Sequence, residues 1–235
     1  MKIASIFLPS CASFLVAAAA HDHHHHHHHH HTIQHRALNL NELGFDKEDT
    51  AVVLIDPQND FLSPQGVTWG VVGEAVTEHK TVEHIDMLFE AAREKGFLVF
   101  ISPHYYYPHD KKWEFEGAIE VLMHQIGMFD RAGPLSLEGF EGSGADWLEQ
   151  YKEYIAGDNI IITSPHKVYG PQTNDLALQL RKRGIDRIIL GGMSANLCVE
   201  SHLRELLDRV LRCTSSKMPL LVQGIQSLVM ETRLL

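Results

Sequence analysis

Cysteine is scarce in this chain: three occur in 235 residues, at Cys11, Cys198 and Cys213. With Cys11 in a leader-like stretch, no disulfide framework can be built apart from a Cys198–Cys213 pair. Positive charge is also short. Twenty Lys and Arg against thirty Asp and Glu leave a formal charge of −10, which offers no basic face to nucleic acid and favours a small, neutral or cationic partner. Beyond the first residues no uncharged run is long enough to cross a bilayer, so no membrane partner is expected.

The two ends stand apart from the rest. Lys2, the apolar residues 3–16 and the alanines at 17–20 read as an added secretory signal, and His23 to His31 as a purification tag. Residues 1–36 are therefore kept out of the fold argument. The leader implies export of this chain, while the single interior cysteine suits a domain of cytoplasmic type. Residues 37–208 read as one domain. The tail, residues 209–235, has no clear alternation and does not supply the fifth strand that should follow. Read one base out of register, its codons give a glycine, an apolar strand and a turn-rich loop, so a frameshift near Arg209 is the expectation.

Between these ends, apolar runs alternate with amphipathic stretches. Residues 51–55, 97–101, 159–163 and 187–190 read as buried parallel strands. Ile85, Leu88, Phe89 and Ala92 recur at helical spacing up to Gly96. Residues 147–155 predict a second helix. A third runs to Lys182, capped by Thr173 or Asn174 and ended by Gly184. The rhythm predicts an α/β, doubly wound, Rossmann-like and mostly parallel sheet with helices on both faces, a three-layer α/β/α arrangement. The aromatic and glycine-rich residues 102–144, with weak periodicity, read as a lid or binding wall.

Three strand ends carry chemistry. Asp56 ends the first run. Lys167 follows the third. Cys198 lies in the glycine-punctuated turn after the fourth, at the amino end of a helix, where unpaired N–H groups and the helix dipole favour a thiolate and can hold an oxyanion. Open α/β sheets bind their ligands past these carboxyl ends. Each residue alone has a duller role: a turn cap for Asp56, a solvated amine for Lys167, a small buried hydrophobe for Cys198. Asn59 and Asp60 read as local hydrogen bonders and Phe61 as packing.

The segments Leu54-Ile55-Asp56-Pro57-Gln58-Asn59-Asp60-Phe61, Ser164-Pro165-His166-Lys167-Val168-Tyr169-Gly170 and Gly191-Gly192-Met193-Ser194-Ala195-Asn196-Leu197-Cys198-Val199 resemble the isochorismatase-like cysteine hydrolases. The resemblance implies a catalytic triad of Asp56, Lys167 and Cys198, with Lys167 lowering the thiol pKa. It implies an oxyanion hole from the Ser194 and Cys198 backbone N–H groups, and a cis peptide at Met193-Ser194. It also implies cleavage of a C–N bond in a small amide, ureide or carbamoyl compound through a thioester, and assembly as a homo-oligomer. Family members that cleave isochorismate's vinyl ether generally lack the cysteine. That reaction is the alternative, together with an inactive truncated paralogue.

One motif departs from the family. Nicotinamidases carry Asp-x-His after the second strand, whereas this chain reads Ser102-Pro103-His104-Tyr105-Tyr106-Tyr107-Pro108-His109-Asp110. His104, His109 and Asp110 do not match a known ligand spacing, so neither a metal nor any other cofactor is expected. Among the aromatics, Tyr105, Tyr169 and Trp113 are expected to line the substrate site.

Overall fold

The computed structural model describes residues 45–168 and 170–209. In chain order the elements are β1 (Thr50–Ile55), α1 (Asn59–Leu62), α2 (Trp69–Glu78), α3 (Thr81–Lys95), β2 (Leu98–Ser102), α4 (Ala118–Ile126), α5 (Lys152–Ile155), β3 (Ile160–Ile162), α6 (Leu176–Lys182), β4 (Arg187–Gly192) and α7 (Glu200–Arg209). A π-helical turn, Ala195–Val199, joins β4 to α7. All strand pairings are parallel, in the order β3-β2-β1-β4.

Period-two alternation divides β1 between two cores. Val52 and Leu54, with Val99 and Ile101 of β2, face Ile85, Phe89 and Ala92 of α3 and the ring of Tyr151. Ala51, Val53 and Ile55, with Phe100, Ile188 and Leu190, face Leu176 and Leu180 of α6 and Leu206 of α7. Every residue of β1 is buried, as a strand covered on both sides requires. Helices lie on both faces, which is the three-layer α/β/α arrangement the rhythm predicts. Helix α3 ends where its glycine stands: Gly96 adopts φ 74° and its N–H reaches the Ala92 carbonyl.

The strand order places the site. The chain runs outward from β1 through β2 to β3, then returns to lay β4 on the other side of β1. The carboxyl ends of β1 and β4 therefore flank the point where winding reverses, where α/β sheets open a crevice. Asp56 leaves β1 there and Cys198 follows β4.

One expectation is corrected, a second is decided in favour of Asn174, and one helix goes beyond the sequence reading. Residues 147–155 form only a 3-10 turn, Glu149–Tyr151, and the one-turn α5, because Leu148 N–H is drawn to the Pro57 carbonyl and Trp147 N–H to the Asp146 carboxylate. Helix α6 starts at Leu176, whose N–H bonds the Asn174 side chain, while the Thr173 hydroxyl turns away to accept from Lys167 N–H. Helix α2 was not predicted: Gly70 and Gly73 weaken its helical signal, and only Gly73 and Val76 are buried. The tail expectation concerns residues of which 210–235 lie outside those described.

Candidate active site

Asp56 is held in place by the sheet. It adopts a left-handed backbone, φ 50°, with its N–H bonded to the Ser102 carbonyl across the β1–β2 ends at 3.2 Å. Opposite, β4 closes on the same point. Met193 N–H bonds the Ile55 carbonyl at 2.9 Å, and Gly192 has φ 120°. A Cβ on Gly192 would stand 2.1 Å from the Ile55 carbonyl oxygen, so only glycine allows the two strand ends to approach this closely. The Met193-Ser194 peptide is cis, as the family resemblance implies. The π-helical turn then carries Cys198 inward, where its side chain is 1% exposed and packed beside Ile55 and Leu190.

The Asp56 carboxylate, fully buried, accepts from His166 Nε2 at 2.7 Å to Oδ1, and the Cys198 sulfur lies within 4.8 Å of it. His104 Nδ1 stands 4.0 Å from the other oxygen, Oδ2. One donor atom from each of Asp56, His104, His166 and Cys198 can be chosen so that all lie within 4.8 Å of one another. The thiol also reaches the Val168 carbonyl at 3.4 Å.

Burial disfavours charge on three members of this cluster. Burial, then the adjacent Asp56 carboxylate, push the Cys198 thiol well above its ordinary pKa; hydrogen bonds to the sulfur from the Ser194 and Cys198 backbone N–H groups pull the other way and lose. Burial likewise raises Asp56, opposed by His166. His104 is pushed far down by burial and neighbouring positive charge, and is neutral. The expectation of a thiol acidified by Lys167 and a helix dipole is thus reversed. Burial and a carboxylate facing the thiol outweigh a five-residue π turn.

Lys167 takes a different partner. Its ammonium donates to the Asp110 carboxylate and, at 3.0 Å, to the Tyr105 carbonyl, and it lies 4.4 Å over the Tyr107 ring. Among the described residues no ion pair or hydrogen bond joins it to Asp56 or Cys198. Asp110, which also accepts from Tyr107 N–H at 2.8 Å, is the nearer anion and takes the charge. The structure therefore brings together two of the three expected triad residues, Asp56 and Cys198, with His166 where Lys167 was expected.

Of the aromatics, Tyr105 is buried between Arg131, Phe140 and Trp147. Trp113 is 36% exposed and meets the His124 ring. Tyr169 lies outside the described residues. Asn59 and Asp60, expected to bond locally, instead reach across the fold: Asn59 Nδ2 donates to the Ser143 carbonyl, and the Asp60 carboxylate accepts from Phe129 N–H as well as from the nearby Val67 N–H, while Phe61 packs on Phe129 as expected. A cleft of about 400 Å³ lies among Lys111, Lys112, Arg131 and Glu138, and none of Asp56, Lys167 and Cys198 lines it.

Two residues escaped the sequence reading. His166 was quoted in its motif without a role, though it occupies the β3 exit beside Lys167. His202, buried, lies four residues after Cys198 and so on the same helical side, a spacing that could have revealed it. Its Nδ1–H donates to the Cys198 carbonyl at 2.6 Å, its Nε2 accepts from the Ser102 hydroxyl at 2.9 Å, and that hydroxyl accepts from the Asn174 amide at 2.8 Å. Burial drops its pKa to about 3, so it is neutral and ties the turn to β2.

Comparison with known proteins gives the family and the fold. The profile of the isochorismatase domain family matches residues 50–214. An uncharacterised isochorismatase family protein, YwoC of Bacillus subtilis, is 28% identical over 71% of this chain and 74% of its own length. The ureidoacrylate amidohydrolase RutB of Variovorax paradoxus is 25% identical over 69% of this chain; the match spans 65% of that enzyme, just under two thirds. The nicotinamidase PncA of Bacillus subtilis shares the fold, with a TM-score of 0.53 at 16% identity over 77% of this chain and 96% of that one. The chain belongs to the isochorismatase domain family.

Proposed function

We propose that this protein is a cysteine-dependent hydrolase that cleaves a C–N bond of a small amide, ureide or carbamoyl compound. The observation that carries the reading is the buried Cys198 thiol beside the buried Asp56 carboxylate, sulfur and oxygen within 4.8 Å, at the reversal point of the sheet. The names of family relatives support the reaction class: one is a ureidoacrylate amidohydrolase, another a nicotinamidase.

In this reading Asp56 takes the thiol proton as sulfur attacks the carbonyl carbon. The carbonyl π electrons move to oxygen, held by the Ser194 and Cys198 backbone N–H groups. The oxyanion collapses, the C–N bond breaks, and the Asp56 proton passes to the departing nitrogen. A thioester and ammonia or an amine result. Asp56 then takes a proton from water as its oxygen attacks the thioester; the C–S bond breaks and the proton returns to sulfur. His166 Nε2–H holds the carboxylate in line. Lys167 acts through the positive field it adds to the cluster, as it does on His104. Tyr105, Tyr169 and Trp113 remain in the proposal as the wall that meets the substrate. Because Cys198 is 1% exposed, an amide reaches its sulfur only when the chain over it, Val168 included, gives way.

A screen for ammonia release over amides, ureides and carbamoyl compounds tests this. The expected result is turnover of at least one compound and its loss in Cys198→Ala with unchanged thermal unfolding. Retained turnover in a folded Cys198→Ala protein, or cleavage of isochorismate alone, overturns it.

A further inference from the structure

The site holds more buried donor groups than the hydrolysis needs. Both nitrogens of His104, Nδ1 of His166 and Oδ2 of Asp56 are buried with no hydrogen-bond partner among the described residues, and His104 is itself fully buried. A buried polar atom left without a partner is costly, and four in one cluster point to a group that would meet them. The Gln58 amide, which grips His104 by its backbone N–H and carbonyl, leaves the imidazole free to point at Asp56.

We propose that Asp56, His104, His166 and Cys198 form a binding site for a divalent transition-metal ion of the zinc class, and that the bound ion holds the hydrolase off. The donor set of one carboxylate, two imidazoles and one thiol is what such an ion selects, in contrast to the oxygen-only sets of magnesium and calcium. Tetrahedral binding at about 2.0–2.3 Å needs donors about 3.3–3.8 Å apart. The four lie within 4.8 Å of one another, so side-chain adjustments of about 1 Å close the shell. Charge fits as well. On binding, the Cys198 S–H bond breaks, its proton leaves to solvent and the sulfur bonds the ion. Carboxylate and thiolate together supply two negative charges, two neutral imidazoles supply none, and a divalent ion makes the buried site neutral. The nucleophile and its proton acceptor are then both ligands, so turnover stops. That consequence rests on the hydrolase reading; ion binding does not. The proposal departs from the sequence expectation of no metal, which looked for a contiguous motif. These four ligands come from the ends of all four strands.

Cobalt(II) titration of the full chain, followed by absorption, tests the site. A sulfur-to-cobalt charge-transfer band with intense tetrahedral d–d bands is expected. It should vanish in Cys198→Ser, and cobalt should bind more than about 100-fold more weakly in His104→Ala, beyond what loss of a supporting group outside the shell costs. Weak d–d bands without the sulfur band would place cobalt on the His23 to His31 run and overturn the proposal. Should His104→Ala fail to fold, the unaltered chain still decides. Zinc must protect the Cys198 peptide, read by mass spectrometry, from iodoacetamide, and a chelator must restore labelling; unprotected labelling refutes the site. Hydrolysis is measured in parallel. The sulfur band without turnover of any compound, with or without chelator, keeps the metal site and removes the hydrolase reading. Turnover unaffected by zinc or chelator, with no sulfur band, does the reverse.

Discussion

Replacing Gln58 by leucine should destabilise the protein by about 3 kcal/mol. Gln58 is fully buried just past β1, and its amide is used three times: Nε2 donates to the His104 carbonyl at 3.0 Å and to the Ala145 carbonyl at 2.8 Å, while Oε1 accepts from His104 N–H at 2.8 Å. Leucine fills similar space and meets none of these groups. Each buried backbone group left without a partner costs roughly 1–3 kcal/mol. Three at the low end, where small backbone shifts relieve part of the loss, give about 3 kcal/mol. For a protein of this size that lowers Tm by about 6–12 °C. Urea unfolding should move its midpoint with an unchanged slope, since the exposed surface is the same. Gln58→Glu adds a sign test. The carboxyl still accepts from His104 N–H, but its second oxygen faces the two carbonyls and satisfies one only when protonated. Its pKa is thus raised in the folded state. The variant's deficit should be smallest below about pH 4.3, the unfolded carboxyl value, and grow as pH rises through the folded one. A Gln58→Leu protein within about 0.5 kcal/mol of the parent would refute the argument that this amide fastens the β1 and β2 ends together.

Three further outcomes follow from the same geometry. Gly192→Ala forces a Cβ to 2.1 Å from the Ile55 carbonyl at φ 120°; a loss of at least about 3 kcal/mol in urea unfolding is expected, and a parent-like midpoint would refute the close approach. His166→Asn removes the 2.7 Å bond to Asp56, so kcat should fall more than in Lys167→Met, whose ammonium bonds Asp110 and the Tyr105 carbonyl; a larger loss for Lys167→Met would restore the triad read from the motif. His202 is buried neutral with its pKa lowered to about 3. Because the unfolded chain takes up the proton near pH 6.5, stability should be full above that pH and fall as pH drops towards 3. With a chelator present, the fall should be shallower in His202→Asn, and an identical pH profile would refute it.

The strands were legible because β1 is buried throughout and β2 nearly so, leaving runs such as Val52-Val53-Leu54-Ile55, while β4 buries Ile188 and Leu190 and β3, expected buried, is half-buried or exposed yet still a run of isoleucines. The positions of Asp56 and Cys198 followed from strand ends alone, since topology brings those ends together whatever the loops do. Partner choice was not legible. Whether Lys167 or His166 turns toward Asp56 depends on one residue of register past β3, and on Asp110, fifty-seven positions away, attracting the ammonium. The thiol's acidity was misjudged for a related reason. A helix terminus shows in the pattern of residues, but desolvation and a facing carboxylate are properties of the assembled interior.

Acid-quenched mass spectrometry of the protein during turnover of an amide found by the ammonia screen tests the central claim most directly. The account predicts the acyl portion of that amide attached to Cys198 as a thioester, and no such adduct in Cys198→Ala. Continued ammonia release from the Cys198→Ala protein, or an acyl group found on another residue, would contradict it.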